Sequence, residues 1–132
     1  MKKNKKKILF ILNVDYFLIS HRLPVALEAI KMGYEVHLAS QITKASEEIK
    51  MHNIKVHPIR INRSGLKVNS IFITLIDIYR IIKEIKADIV HLISIKPILL
   101  GGLALHFIKF KPKIISSISG LGFVFTDKGY KT

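Results

Sequence analysis

The segment Asn13-Val-Asp-Tyr-Phe-Leu-Ile-Ser-His-Arg22 sets a carboxylate, Asp15, close to an imidazole, His21, and a guanidinium, Arg22. It joins an apolar run to an amphipathic helical pattern, so all three residues stand near a helix N-terminus, where unpaired N–H groups and the helix dipole favour anions. Arg22 could grip a phosphate with two parallel hydrogen bonds, His21 could donate to one or move a proton, and Asp15 would suit a sugar hydroxyl. Each has a plainer alternative: Asp15 capping a turn, Arg22 simply solvated. Their coincidence in one loop is what points to function.

Three further segments carry weaker signals of the same kind. Ser94-Ile-Lys-Pro97 places Lys96 just ahead of a helix, an ammonium beside free backbone donors, with a solvated lysine as the alternative. Arg60-Ile-Asn-Arg-Ser-Gly65 is a basic loop containing Arg63 and Ser64. Ser119-Gly-Leu-Gly-Phe-Val-Phe125 offers Gly120 and Gly122, where a backbone turn could approach a ligand or simply form a loop.

Other chemistries lack their residues. Phe125 stands where a dinucleotide fingerprint needs a third small residue, the first apolar run leads into no glycine-rich turn, and no G-x-x-x-x-G-K-[ST] motif occurs. There is no cysteine, and no pair of histidines stands at i, i+4 on a helix beside a carboxylate, so neither a metal site nor a bound cofactor is expected. His91, inside an apolar run, reads as a hydrogen-bonded core residue, and His37, His57 and His106 as structural or exposed.

The elements that must position these residues alternate. Five strands are predicted, Lys7 to Asn13, Glu35 to Ser40, Lys55 to Ile59, Ile89 to Ile93 and Lys113 to Ser117, mostly continuous apolar runs suited to burial on both faces. Between them lie helical patterns. The first spans about Ser20 to Met32, with Leu23, Ala26, Leu27 and Ile30 as its stripe and Gly33 as its stop. The second spans about Lys44 to His52, with Thr43 as N-cap and Asn53 as stop. The third is long and is capped by Asn69 or Ser70; the fourth has Pro97 in its first turn and runs to about Lys109. Such alternation predicts an α/β Rossmann-like parallel sheet, and right-handed crossovers favour the order 3-2-1-4-5. Direction reverses between the first and fourth strands, so a crevice should open beyond their carboxyl ends, at Val14 to Ile19 and Ser94 to Lys96.

With 132 residues, 49% hydrophobic and 23% charged, the chain fits one globular domain carrying a basic tail at residues 1–6. Asp15 interrupts what would otherwise imitate a secretory leader, and no apolar stretch reaches the roughly twenty residues of a membrane span. The net charge of +13 is concentrated at the amino terminus and in loops without a nucleic-acid reading element. An anionic membrane surface is therefore the expected partner, with no nucleic acid, and Lys2, Lys3, Lys5, Lys6 and Lys7 supply the attraction.

The segments Phe17-Leu-Ile-Ser-His-Arg-Leu-Pro-Val-Ala, Gly33-Tyr-Glu-Val-His-Leu-Ala, Arg63-Ser-Gly, Asp88-Ile-Val-His-Leu-Ile-Ser-Ile-Lys-Pro and Ile118-Ser-Gly-Leu-Gly-Phe-Val-Phe, in that order, resemble the amino-terminal domain of family 4 retaining glycosyltransferases. The resemblance covers nearly the whole chain and is to the subgroup that extends bacterial lipid-linked or capsular oligosaccharides. It implies the acceptor-side half of a GT-B architecture. The nucleotide-sugar donor would bind mainly to a carboxyl-terminal domain absent from residues 1–132, supplied by a continuation of the chain or by a partner chain. The acceptor would be a lipid-linked glycan, catalysis would need no cofactor, and the setting would be cytoplasmic, peripheral on the inner face of the cell membrane. Asp15, His21, Arg22, Lys96 and the Gly120 to Gly122 turn would face the interdomain cleft. Residues 1–132 alone would be an inactive, truncated enzyme; the alternative is a non-enzymatic acceptor-binding subunit of a split glycosyltransferase.

Overall fold

A computed structural model describes residues 5–61 and 68–118. The strands are β1 (Lys7–Val14), β2 (Glu35–Gln41), β3 (Lys55–Pro58), β4 (Ile89–Ile93) and β5 (Lys113–Ser117), all parallel and in the order β3-β2-β1-β4-β5. Register is set by apolar pairs on the central strands: Ile8 lies beside Val36 and Ile89, and Phe10 beside Leu38 and His91.

The helices are α1 (Leu23–Lys31), α2 (Ala45–Met51), α3 (Val68–Ile85) and α4 (Ile95–His106). One face of the sheet packs Leu9, Ile11, Val90 and Leu92 against Ile78 and Ile82 of α3 and Ala104 and Leu105 of α4. The other packs Ile8, Phe10, Leu12, Val36 and Leu38 against Ala26 and Ala29 of α1 and Ile49 of α2. Being central, β1 buries Leu9, Phe10, Ile11 and Leu12 completely, each contributing about 1.5–3 kcal/mol. Gly101 lets α4 approach β4 closely, since a Cβ there would lie 2.5 Å from Leu92 Cδ2.

Several boundaries depart from the sequence reading. The first helix does not run unbroken from Ser20: a π-helical turn, Leu18–Arg22, precedes α1. Pro24 has no N–H to close an α-helical bond onto Ser20, and Arg22, at φ −129° and ψ 3°, marks the break. Of the stripe read from spacing, Ala26 is buried and Leu23 and Ile30 pack against the same core, but Leu27 is turned outward and Ala29 is buried instead. The second helix is shorter at both ends and is closed by Asn53 in the left-handed region at φ 64°. The third begins already at Val68, ahead of the expected caps. The fourth starts two residues before Pro97 and stops at His106.

Candidate functional site

Three backbone irregularities meet at the carboxyl edge of the sheet, where the hydrogen-bonded strands β1 and β4 end side by side. The β1–β2 register shifts between Ile11 and Val14, a bulge that re-aims the end of β1. The π-helical turn follows at once. Ser94, at φ 82° and ψ 163°, occupies a region that is nearly glycine-only, and its N–H donates to the Ser117 carbonyl at 2.8 Å. Strain of this kind costs about 1–3 kcal/mol and persists where surrounding structure enforces it.

Asp15 is completely buried. Its N–H donates to the Gln41 carbonyl at 3.1 Å, its Oδ2 accepts the Thr43 N–H at 2.8 Å, and its Oδ1 accepts the Thr43 hydroxyl at 2.6 Å. The structure thus places Asp15 as a loop-fixing carboxylate engaged by Thr43, rather than as a group open to a sugar hydroxyl. Thr43 in turn accepts the Ala45 N–H at 3.2 Å, which steadies the start of α2.

His21 is exposed. Its Nδ1 lies 2.7 Å from the Ser20 hydroxyl, which donates to the Tyr16 carbonyl at 3.1 Å, and its ring meets Phe17 edge-on at 5.6 Å. Arg22 is half-buried, and its Nε has no hydrogen-bond partner among the described residues. The same holds for Oδ1 of Asn13, at the end of β1, which is only 8% exposed. Buried polar atoms are almost always paired, and these two stand at the end of β1 and in the turn that leaves it. Asn13 was missed from sequence although the signal was there: a lone amide closing an apolar strand.

Lys96 lies in the first turn of α4, whose N-cap, Ser94, makes no side-chain capping bond. The structure therefore places His21 and Arg22 in the helical turn that follows β1 and Lys96 in the helix that follows its neighbour β4. Arg63, Ser64, Gly120 and Gly122 lie outside the described residues. Arg60, in the basic loop, is held by Asp77: Oδ2 accepts its backbone N–H at 2.7 Å and its Nε–H at 2.9 Å, and Oδ1 accepts from Nη2 at 2.8 Å. That clamp between the end of β3 and α3 lowers the Asp77 pKa, the guanidinium hydrogen bond being the main cause. An aspartate inside an apolar helix was its sequence signal.

His91 is a core histidine, as expected, with its ring 5.2 Å from Phe10 and Nε2 2.8 Å from Ser117 Oγ. Burial, and secondly the charge of Arg22, push its pKa down. His37 and His57 stack across β2 and β3, with Nδ1 of His37 2.8 Å from Nε2 of His57 and Nε2 of His37 2.6 Å from Glu35 Oε2. No cluster of three or more metal-ligating side chains occurs among the described residues.

Residues 7–131 match the family described as glycosyl transferase 4-like. No match was found among curated proteins. Among solved structures, the chain is similar to a glycosyltransferase from Rickettsia africae ESF-5, with 21% identity and TM-score 0.67 over 86% of this chain and 30% of that one. It is similar to MurG of Acinetobacter baumannii, with 21% identity and TM-score 0.60 over 84% and 34%. CalG4, the calicheamicin glycosyltransferase, gives 13% identity and TM-score 0.65 over 98% and 38%. The chain thus spans about a third of the length of these structures. The family match over nearly the whole sequence, on a sheet of order 3-2-1-4-5, makes this chain a member of the glycosyl transferase 4-like family, with the fold of the amino-terminal half of a GT-B enzyme.

Proposed function

We propose that this chain is the acceptor-side part of a glycosyltransferase that moves a sugar from a nucleotide-sugar donor to a lipid-linked glycan. The observation that carries the reading is the carboxyl edge where β1 and β4 end side by side: Asn13 Oδ1 at the end of β1 and Arg22 Nε in the turn that follows have no hydrogen-bond partner among the described residues, and Ser94, ahead of α4, makes no side-chain cap. Family membership supports sugar transfer as the reaction.

In this reading Arg22, Lys96 and the α4 dipole offset negative charge that builds on the leaving diphosphate, while His21 and Asn13 hydrogen-bond the acceptor. Asp15 acts at one remove by holding the loop that carries His21 and Arg22. The donor is gripped mainly by a second domain, no cofactor takes part, and the enzyme works at the cytoplasmic face of the membrane that carries its acceptor.

The test is transfer of labelled sugar from nucleotide sugars to extracted lipid-linked glycans. A chain in which residues 1–132 are followed by a donor-binding unit should transfer, and residues 1–132 alone should not, because transition-state stabilisation needs both walls of the cleft. Turnover by residues 1–132 alone, or none by the longer chain with any acceptor, would contradict the reading.

A further inference from the structure

The helix α4 is apolar on both sides. Leu100, Gly101, Ala104 and Leu105 face the sheet, yet Ile95, Leu99, Leu103 and Phe107, spaced four residues apart, are exposed, Leu99 and Phe107 each by 66%. An uncovered stripe of this kind marks an interaction surface.

The stripe runs toward the amino edge of the sheet, because helices that link parallel strands run back against them. There α3 and α4 frame a cavity of about 650 Å³ in which Lys83, Lys86 and Lys109 ring Tyr79, Phe107 and Phe110, and none of the lining residues is acidic. Lys83 Nζ sits 5.7 Å from the centre of the Tyr79 ring. Lys7, at the start of β1, reaches the same place: its Nζ donates to the Ile85 carbonyl at the end of α3 at 3.4 Å. Lysines scattered along the sequence are thus gathered at one end of the molecule around the exposed Phe107 and the half-buried Tyr79 and Phe110.

We propose that this end, the α4 stripe with the lysine-ringed cavity at its foot, is the surface through which the chain docks on an anionic lipid bilayer. The inference rests on the membrane-associated reading above and names the surface that performs it. Lysine stems lie along apolar side chains while their ammonium groups reach the headgroups, and aromatic rings settle at the headgroup and acyl boundary. A second copy fits poorly, since a two-fold contact here would set these lysines against themselves.

The chain has no tryptophan, so a Phe107→Trp variant carries a single reporter on the proposed surface and Val25→Trp, on exposed α1, a single control. With phosphatidylcholine vesicles containing phosphatidylglycerol, emission of the first should shift to the blue and that of the second should not. Co-sedimentation should weaken on the order of 100-fold for the combined Lys83→Gln, Lys86→Gln and Lys109→Gln variant, at about tenfold per 1.4 kcal/mol and about 1 kcal/mol per lysine. Lys31→Gln, Lys44→Gln and Lys50→Gln together make the same charge change on the α1 and α2 side and should matter far less. Sedimentation of the wild type with equal loss in both triple variants, or a blue shift only at Val25→Trp, would overturn the surface while leaving membrane association intact. Failure of the wild type to sediment with anionic vesicles would overturn the membrane reading itself. A concentration-dependent blue shift of Phe107→Trp without vesicles would assign the surface to self-association instead.

Discussion

The carboxylate of Asp15 holds both polar groups of Thr43, accepting its backbone N–H at 2.8 Å and its hydroxyl at 2.6 Å. A residue that follows β1 thereby fixes the start of the connection from β2 to α2, and with it the loop that presents His21 and Arg22. Thr43→Val removes the hydroxyl without changing shape and leaves Asp15 Oδ1 buried without that partner, at a cost of about 1–3 kcal/mol. Combining it with Asp15→Asn should give a coupling energy of at least about 0.5 kcal/mol in a double-mutant cycle measured by denaturant unfolding. Additive losses would show that the pair does not act as a unit.

The Arg60 clamp predicts an asymmetry between its two ends. The Arg60 side chain is 67% exposed and that of Asp77 10%, so Arg60→Ala, which removes the guanidinium hydrogen bonds but leaves the carboxylate its backbone donor, should destabilise less than loss of the carboxylate itself. Asp77→Ala also strips the partner from the Arg60 backbone N–H and should cost about 1–3 kcal/mol. Because the Asp77 pKa is depressed, its contribution is present at neutral pH and disappears only in acid, as pH falls through the folded-state value below 3.8. Equal effects of the two substitutions would contradict this assignment.

The stacked histidines give a pH dependence of the same direction at a higher pH. Only one proton arrangement satisfies both contacts with neutral rings: His37 Nε2–H donates to Glu35, and His57 Nε2–H donates to His37 Nδ1. Burial lowers both pKa values from 6.5, the hydrogen bond to Glu35 opposing it at His37 and the charge of Glu84 opposing it at His57, with Lys55 adding to the lowering at both. A depressed histidine contributes stability that is complete above the unfolded value and lost as pH falls through the folded one. Stability of the wild type should therefore decline as pH falls below about 6.5 toward the lowered folded-state values, and His57→Phe should flatten that decline. Identical slopes in urea titrations at several pH values would contradict it.

Two adjacent glycines of α4 should respond in opposite senses. A Cβ on Gly101 would press on the Leu92 side chain at 2.5 and 3.1 Å, so Gly101→Ala should destabilise by about 1–3 kcal/mol. Gly102 has open space, and Gly102→Ala should stabilise by roughly 0.5–1 kcal/mol through helix propensity. Thermal melting of the two variants distinguishes them directly.

How much of this was legible in the sequence depended on how local the cause was. Strand order followed from apolar runs alternating with helical patterns, and β4 and β5 occupy the expected residues because Asp88 and Pro112, just ahead of them, bound their apolar runs. The stops at Gly33 and Asn53 followed from residues that tolerate positive φ, and both adopt it. The π-helical turn was not legible, since Pro24 reads as a harmless first-turn proline until the preceding turn is seen to widen. Nor was the use of Asp15, because its partner, Thr43, is brought to it by strand pairing. Arg60 looked like a free basic residue for the same reason: Asp77 reaches it only through the packing of α3.

The central claim is that the carboxyl edge between β1 and β4 contacts the reacting molecules. It is tested most directly by kcat/KM for sugar transfer in a chain that joins residues 1–132 to a donor-binding unit, measured for the wild type, Arg22→Ala, His21→Ala and Lys96→Ala. A charge-assisted contact is worth about 1.5–3 kcal/mol, so each substitution should lower kcat/KM by roughly 10- to 150-fold without changing the circular dichroism spectrum. Lys50→Ala, exposed in the last turn of α2 and so toward the opposite edge, should leave it unchanged. Wild-type kcat/KM in all three edge variants would contradict the account.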